Sequence, residues 1–352
     1  MTYKHLSFVS LFAVAALSAS AQRNVENFNF GWQFHRGNID VTAINTSDGS
    51  WETINVPHDF QISQPWVAPA ANESEDNSDG ASNFKSRLSA RGFKEMGDGW
   101  YVKTYTPAAD MKGRRILLDF EGIMYVGDVY LNGKRIGGTD YGYLGFDIDV
   151  SKLLKYGQAN TIAVHASTSG PLNSRWYTGG GLYRDVKIVS TPADIYFVRH
   201  PLYVTTTDNH LVNLQVEVAN YTKQNNVKRQ TVVKDPQGNI VYDKTVDMPF
   251  NRKMRTNELK WETIDIANPK LWNCDTPNLY TATVRILDAN GKEKDCATAR
   301  FGIRTMEIGP DFGLKVNGSK VLLKGIANHH TLGALGAAAY PRAMEKRMKM
   351  LK

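Results

Sequence analysis

At 352 residues, with 42% hydrophobic and 22% charged side chains, the chain can build two or three buried cores and is excluded from the disordered class. The formal net charge is +7, but the basic residues do not collect on one element. Arg252, Lys253 and Arg255 read as a solvated loop, and Lys346, Arg347, Lys349 and Lys352 as the outer face of a helix, so nucleic acid is not an expected partner.

Residues 1–21 read as a targeting segment. Lys4 and His5 precede an apolar run over residues 6–17, and Ala19-Ser20-Ala21 supplies a small-residue cleavage site. That order is the order of a secretory signal peptide, and the run is too short to span a bilayer. The competing reading is a buried amino-terminal helix. The mature chain is expected to start at Gln22, in the periplasm or outside a bacterial cell. No later stretch suits a membrane span. Export permits disulfides. Cys274 and Cys296 read either as a pair or as two small buried hydrophobes. No CxxC or HExxH spacing occurs, so no zinc site and no cofactor are expected.

From Gln22 to about residue 325 the pattern is mostly strand. Residues 68–94 are rich in Ala, Asn, Ser, Glu and Asp without apolar periodicity, and are expected to form a surface loop. Asn132-Gly133 separates Val129-Tyr130-Leu131 from Lys134-Arg135-Ile136; Asn-Gly supplies the positive φ angles of a type I′ hairpin. Val212, Leu214, Val216 and Val218 alternate with Asn213, Gln215 and Glu217, as in a half-buried strand. Val284 and Ile286 flank Arg285 in the same way. Residues 235–239, Asn290-Gly291 and Asn317-Gly318 are further turns. Many short strands of this kind argue sandwiches or barrels. One domain is expected over 22–195 and a second over 196–303, the latter of immunoglobulin-like size.

After residue 303 the pattern changes. A last hairpin is expected around Asn317-Gly318, and Val321-Leu322-Leu323 has the continuous apolar character of a buried strand. Pro341 then opens a helix with Ala343, Met344, Met348 and Leu351 at helical spacing. A strand followed by a helix begins a βα unit, and no stop signal closes the helix before Lys352. The chain therefore reads as a fragment.

Four segments in order resemble glycoside hydrolase family 2. They are Val56-Pro57-His58-Asp59-Phe60, then Gly99-Trp100-Tyr101 with residues 128–133, then residues 175–186 (RWYTGGGLYRDV), and finally residues 323–336 with His329-His330. The resemblance implies a mostly β chain: a jelly-roll sugar-binding domain, an immunoglobulin-like β-sandwich, and the first βα unit of an incomplete TIM barrel over 304–352. A whole barrel needs about 250 residues. The implied activity is β-galactosidase-like, retaining hydrolysis of terminal β-glycosidic bonds in oligosaccharides or β-galactosides, with β-glucuronides or β-mannosides as alternatives. The full-length protein is a candidate homo-oligomer. Both catalytic glutamates are expected beyond Lys352, so no residue is assigned as catalytic and the chain alone is expected to be inactive. A different class of reading is a non-catalytic carbohydrate-binding pair of sandwiches.

The candidate sugar contacts are Arg175, Trp176, Asp59, His329 and His330. Arg175 can fork onto neighbouring hydroxyls and Trp176 can stack on a sugar face. Against this, Trp176, Tyr177 and Tyr183 suit a core, and Arg184-Asp185 suits a local ion pair. Asp59 can accept hydroxyls, though a turn cap is the commoner role after Pro. His58 reads as a packed structural histidine. By resemblance His329 occupies a sugar-contacting position, at the strand end where barrel sites are built. Adjacent histidines on a strand point to opposite sides, which argues against a shared metal. Thr331 replaces the Asp that many relatives carry. Glu121 and Glu307 read as structural and solvated.

Overall fold

A computed structural model describes residues 22–68, 92–170, 176–222, 226–250 and 258–352. The proposed signal segment, most of the 68–94 insertion, Arg175 and the basic patch at 252–255 lie outside the described residues.

Ten strands come first: β1 (Asn24–Asn27), β2 (Trp32–Arg36), β3 (Glu52–Ile54), β4 (Asp98–Tyr105), β5 (Arg115–Phe120), β6 (Val126–Leu131), β7 (Lys134–Thr139), β8 (Phe146–Asp149), β9 (Asn160–Ser167) and β10 (Val186–Thr191). They form a four-stranded sheet, β1-β10-β5-β8, and a six-stranded sheet, β3-β2-β4-β9-β6-β7. The inner faces meet in one core. Trp32, Tyr101, Val129 and Val164 come from one sheet; Ile116, Leu118, Phe120 and Ile188 come from the other. The alternation of strand side chains puts these residues on a common face. The β6–β7 hairpin turns at Asn132 (φ 51°) and Gly133 (φ 80°), the two positive angles that Asn-Gly supplies.

The second sandwich contains β11 (Ile195–Thr207), β12 (Leu211–Asn220), β13 (Lys228–Lys234), β14 (Ile240–Asp247), β15 (Glu258–Asp265), β16 (Tyr280–Leu287) and β17 (Glu293–Phe301). Its sheets run β11-β12-β15 and β14-β13-β16-β17. The alternating valines of β12 are buried, and they pack with Val284 and Ile286 of β16 and with Ile264 of β15. The two sandwiches are joined by charge. Arg23 donates from Nε and Nη2 to the fully buried Asp295, at 2.9 and 3.0 Å, and Arg199 reaches Asp119 at 3.1 Å. The two cysteines are free thiols, Cys274 exposed and Cys296 half-buried.

A small antiparallel sheet follows, β18 (Met306–Gly309), β19 (Gly313–Val316) and β20 (Ser319–Val321), with Asn317 and Gly318 in positive φ at its hairpin. Helix α1 covers Pro341–Leu351. One expectation fails here. Val321-Leu322-Leu323 is not a buried strand: β20 ends at Val321, and Leu322 and Leu323 are 76% and 77% exposed. Apolar character marks a segment to be covered, but burial needs neighbouring strands, and β19 pairs with this segment only as far as Val321. The helix stripe is likewise open, with Met348 47% and Leu351 53% exposed. Exposed contiguous apolar surface promotes association. Replacing Leu322 and Leu323 together by Lys is expected to raise the monomeric fraction at high protein concentration, read by light scattering after size exclusion. An unchanged fraction would show that this surface does not drive association.

Candidate functional site

The site forms where the 176–184 loop of the first sandwich meets residues 328–340. The loop follows a defined path. Residues 58–60 run beside it, with His58 N donating to Leu182 O at 2.7 Å and Phe60 N to Gly180 O at 2.9 Å. On its other side Ala339 N donates to Tyr183 O at 2.8 Å.

Asp59 is the node of this junction. Its Oδ1 accepts from the backbone N–H of Gln61 and of Gly180, both at 3.0 Å; its Oδ2 accepts from Tyr177 Oη and from Ala337 N, both at 2.8 Å. The residue is 3% exposed. Burial pushes its pKa up, against the four donors that favour the anion. Asp59 was expected among the sugar contacts, and the structure corrects this. Its carboxylate is enclosed and saturated, so it acts as a turn cap through Gln61 and a tie between segments through the other three donors. Close approach also explains Gly336 (φ 59°): a Cβ there would collide with Asp59 Oδ2 and Ile62.

His58 is packed, as its place in the motif suggested. Its ring lies edge-on to Phe34, centroids 4.9 Å apart, and Nδ1 is 2.9 Å from Tyr101 Oη. Burial lowers its pKa to about 4.

Trp176 and His329 are brought together, their ring centroids 4.8 Å apart. The indole is 38% exposed and donates from Nε1 to Tyr143 Oη at 3.3 Å. Trp176 is therefore not core. His330 turns away from His329. Its Nε2 donates to Thr178 O at 3.2 Å, and its ring meets Tyr143 and Tyr183 edge-on. Burial lowers the His330 pKa, against the bond to the Thr178 carbonyl, which raises it. With that nitrogen engaged, His330 ties its segment to the 176–184 loop and keeps Nδ1 for a sugar hydroxyl. The pair diverges as expected, though from an irregular segment rather than a strand.

Arg184 and Asp185 do not pair with each other. Arg184 donates to the Tyr143 and Glu121 carbonyls, and Asp185 accepts from Asn29 Nδ2 at 2.9 Å. Glu121 pairs with Lys187. Two residues were missed from sequence. Tyr143 touches both Trp176 and His330, and Tyr141-Gly142-Tyr143 was an unused aromatic signal. Arg347, expected on a solvated face, instead donates to Asn328 Oδ1 at 3.0 Å, to His329 O at 2.9 Å and to Thr331 O. It ties α1 to the histidine segment. Among the described residues no three His, Cys, Asp or Glu side chains gather to hold a metal ion.

Comparison with known proteins fits this geometry. The family described as Glycosyl hydrolases family 2 matches residues 197–304, and the Glycosyl hydrolase 2 galactose-binding domain-like family matches residues 88–174. Similar proteins cover almost the whole chain. The β-galactosidase BoGH2A of Bacteroides ovatus is 29% identical over 97% of this chain, and a β-glucuronidase of Formosa agariphila is 29% identical over 91%. The chain belongs to glycoside hydrolase family 2. The crystal structure of a family 2 member from Bacteroides cellulosilyticus superposes with a TM-score of 0.79 at 29% identity, over 93% of this chain and 41% of that one. This family 2 chain spans 38% of the length of BoGH2A and 34% of the Formosa enzyme.

Proposed function

We propose that this chain is the amino-terminal part of an exported, exo-acting, retaining β-glycosidase of β-galactosidase type. The proposed layout is a signal peptide (1–21), a jelly-roll sugar-binding domain (22–195), an immunoglobulin-like sandwich (196–303) and the opening of a TIM barrel (304–352). The observation that carries the reading is the half-exposed Trp176 indole held against His329 at 4.8 Å. An indole stacks on the apolar face of a sugar, and an imidazole donates one hydrogen bond and accepts another, which suits a ring hydroxyl. Arg175, next to Trp176 in sequence, joins them as a proposed contact.

Retaining hydrolysis needs two carboxyl groups about 5–5.5 Å apart, one to protonate the leaving oxygen and one to attack the anomeric carbon. Asp59 cannot serve, because all its acceptor positions are filled from within the fold. In this reading both groups come from residues after Lys352 in the parent protein. The site described here then positions the sugar.

The test compares residues 22–352 with a chain extended to the length of the relatives, on aryl β-galactoside, β-glucuronide and β-mannoside. The extended enzyme is expected to turn over the galactoside fastest, and the short chain none of them. In the extended enzyme Trp176→Ala is expected to cut kcat/KM by roughly tenfold, mainly through KM. Turnover by the short chain would overturn the assignment of catalysis to later residues. A preference for the glucuronide would move the donor sugar, and no turnover of any substrate would overturn the glycosidase reading.

A further inference from the structure

The outer face of the β11-β12-β15 sheet carries a row that the site above does not use. Antiparallel register places Tyr203, Gln215 and Trp261 side by side across the three strands. Tyr203 is 63% and Trp261 65% exposed, so two large aromatic side chains stand in solvent with an amide between them. The next row is Thr205, Asn213 and Thr263, and Thr263 Oγ1 donates to Asn213 Oδ1 at 3.0 Å. The buried sides of the same strands are fixed by the core through Leu214, Val216 and Ile264. The face is thus built on rigid elements, and its aromatics are not there to fill a core.

We propose that this face binds an extended, neutral β-1,4-linked glycan outside the hydrolytic site. Two strand spacings separate Tyr203 from Trp261, roughly 10 Å. This matches the separation of alternate rings in a two-fold β-1,4-linked chain. Each aromatic then stacks on the C–H face of one sugar, while Gln215 bonds hydroxyls of the ring between them. Asn213, Thr205 and Thr263 offer donors and acceptors along one edge. The centre of the face is uncharged, and carboxylates, Glu217 and Asp265, stand at its two ends. That charge pattern disfavours acidic polysaccharides. A protein interface would group its aromatics into one apolar centre; here the two rings are set apart by hydrogen-bonding side chains.

The test is native gel electrophoresis of residues 22–352 through hydroxyethylcellulose, with cellohexaose titration followed by calorimetry. The wild-type chain is expected to be retarded. Trp261→Ala and Tyr203→Ala are each expected to weaken binding roughly tenfold, and Trp261→Phe to recover part of it. Both positions are exposed, so unchanged thermal melting is expected and separates lost binding from lost folding. Trp176→Ala should leave retardation unchanged, which keeps this outcome independent of the hydrolytic reading. The proposal is overturned by absence of retardation or by equal retardation of the Trp261→Ala variant. A change in sedimentation coefficient on Trp261→Ala without any glycan binding would assign the face to contact between copies instead.

Discussion

Replacing Asp59 by alanine is expected to destabilise the first sandwich by about 3–5 kcal/mol, among the larger effects a single substitution can have. The carboxylate satisfies four donors: Gln61 N, Gly180 N, Tyr177 Oη and Ala337 N. Alanine leaves all four without their acceptor in a site that is 3% exposed around Asp59. An orphaned buried donor costs about 1–3 kcal/mol, reduced where water or a rotated hydroxyl finds it. Asparagine keeps the shape but turns an NH2 toward two of the donors, so a loss of about half that size is expected. Urea unfolding followed by tryptophan fluorescence measures both. A loss below about 1 kcal/mol for Asp59→Ala would show that the four bonds contribute little net stability. The same variant should loosen the 176–184 loop from residues 336–339, seen as faster amide exchange of Gly180 and Ala337.

The second large effect is acid lability centred on His58. Burial holds its pKa at about 4 in the folded chain against an ordinary 6.5. Between those values the unfolded chain binds a proton that the folded chain refuses. Stability is therefore lost as pH falls through this window and levels off once the folded state is also protonated. At pH 4 the loss relative to neutral pH amounts to about 3 kcal/mol. Asp59 contributes the opposite slope, because burial raises its pKa and the stability linked to that shift is lost as pH rises. Comparing wild type with His58→Asn cancels that contribution; asparagine keeps a polar group near Nδ1 for Tyr101 but does not titrate. The difference in unfolding free energy between the two chains should shift toward the variant as pH drops from 7 to 4. A constant difference across that range would place the His58 pKa near its ordinary value.

The hairpins and the sandwich strands were legible without coordinates because their causes are local. Asn132-Gly133 and Asn317-Gly318 both adopt the positive φ pairs expected of Asn-Gly. The β12 valines fall on one face because a strand alternates every residue. The four family segments were equally legible, since each is a contiguous run. Nothing local shows that Asp59 ties segments together. Its partners Gly180 and Ala337 stand 121 and 278 residues away, and a lone Asp after Pro-His looks the same whether it caps a turn, holds three segments or binds a sugar.

The sequence by itself thus determined strand period, turn type and the presence of Trp176 and His329 within family motifs, all properties of short runs. Only the tertiary structure decided which candidate faces solvent. It closed off Asp59, turned His330 onto Thr178, left Trp176 and His329 open, and brought in Tyr143 and Arg347. It also left Leu322 and Leu323 uncovered, although their apolar run reads as core. The physical reason is the same in each case: burial and hydrogen-bond saturation depend on which distant segments arrive beside a residue, and periodicity does not encode their arrival.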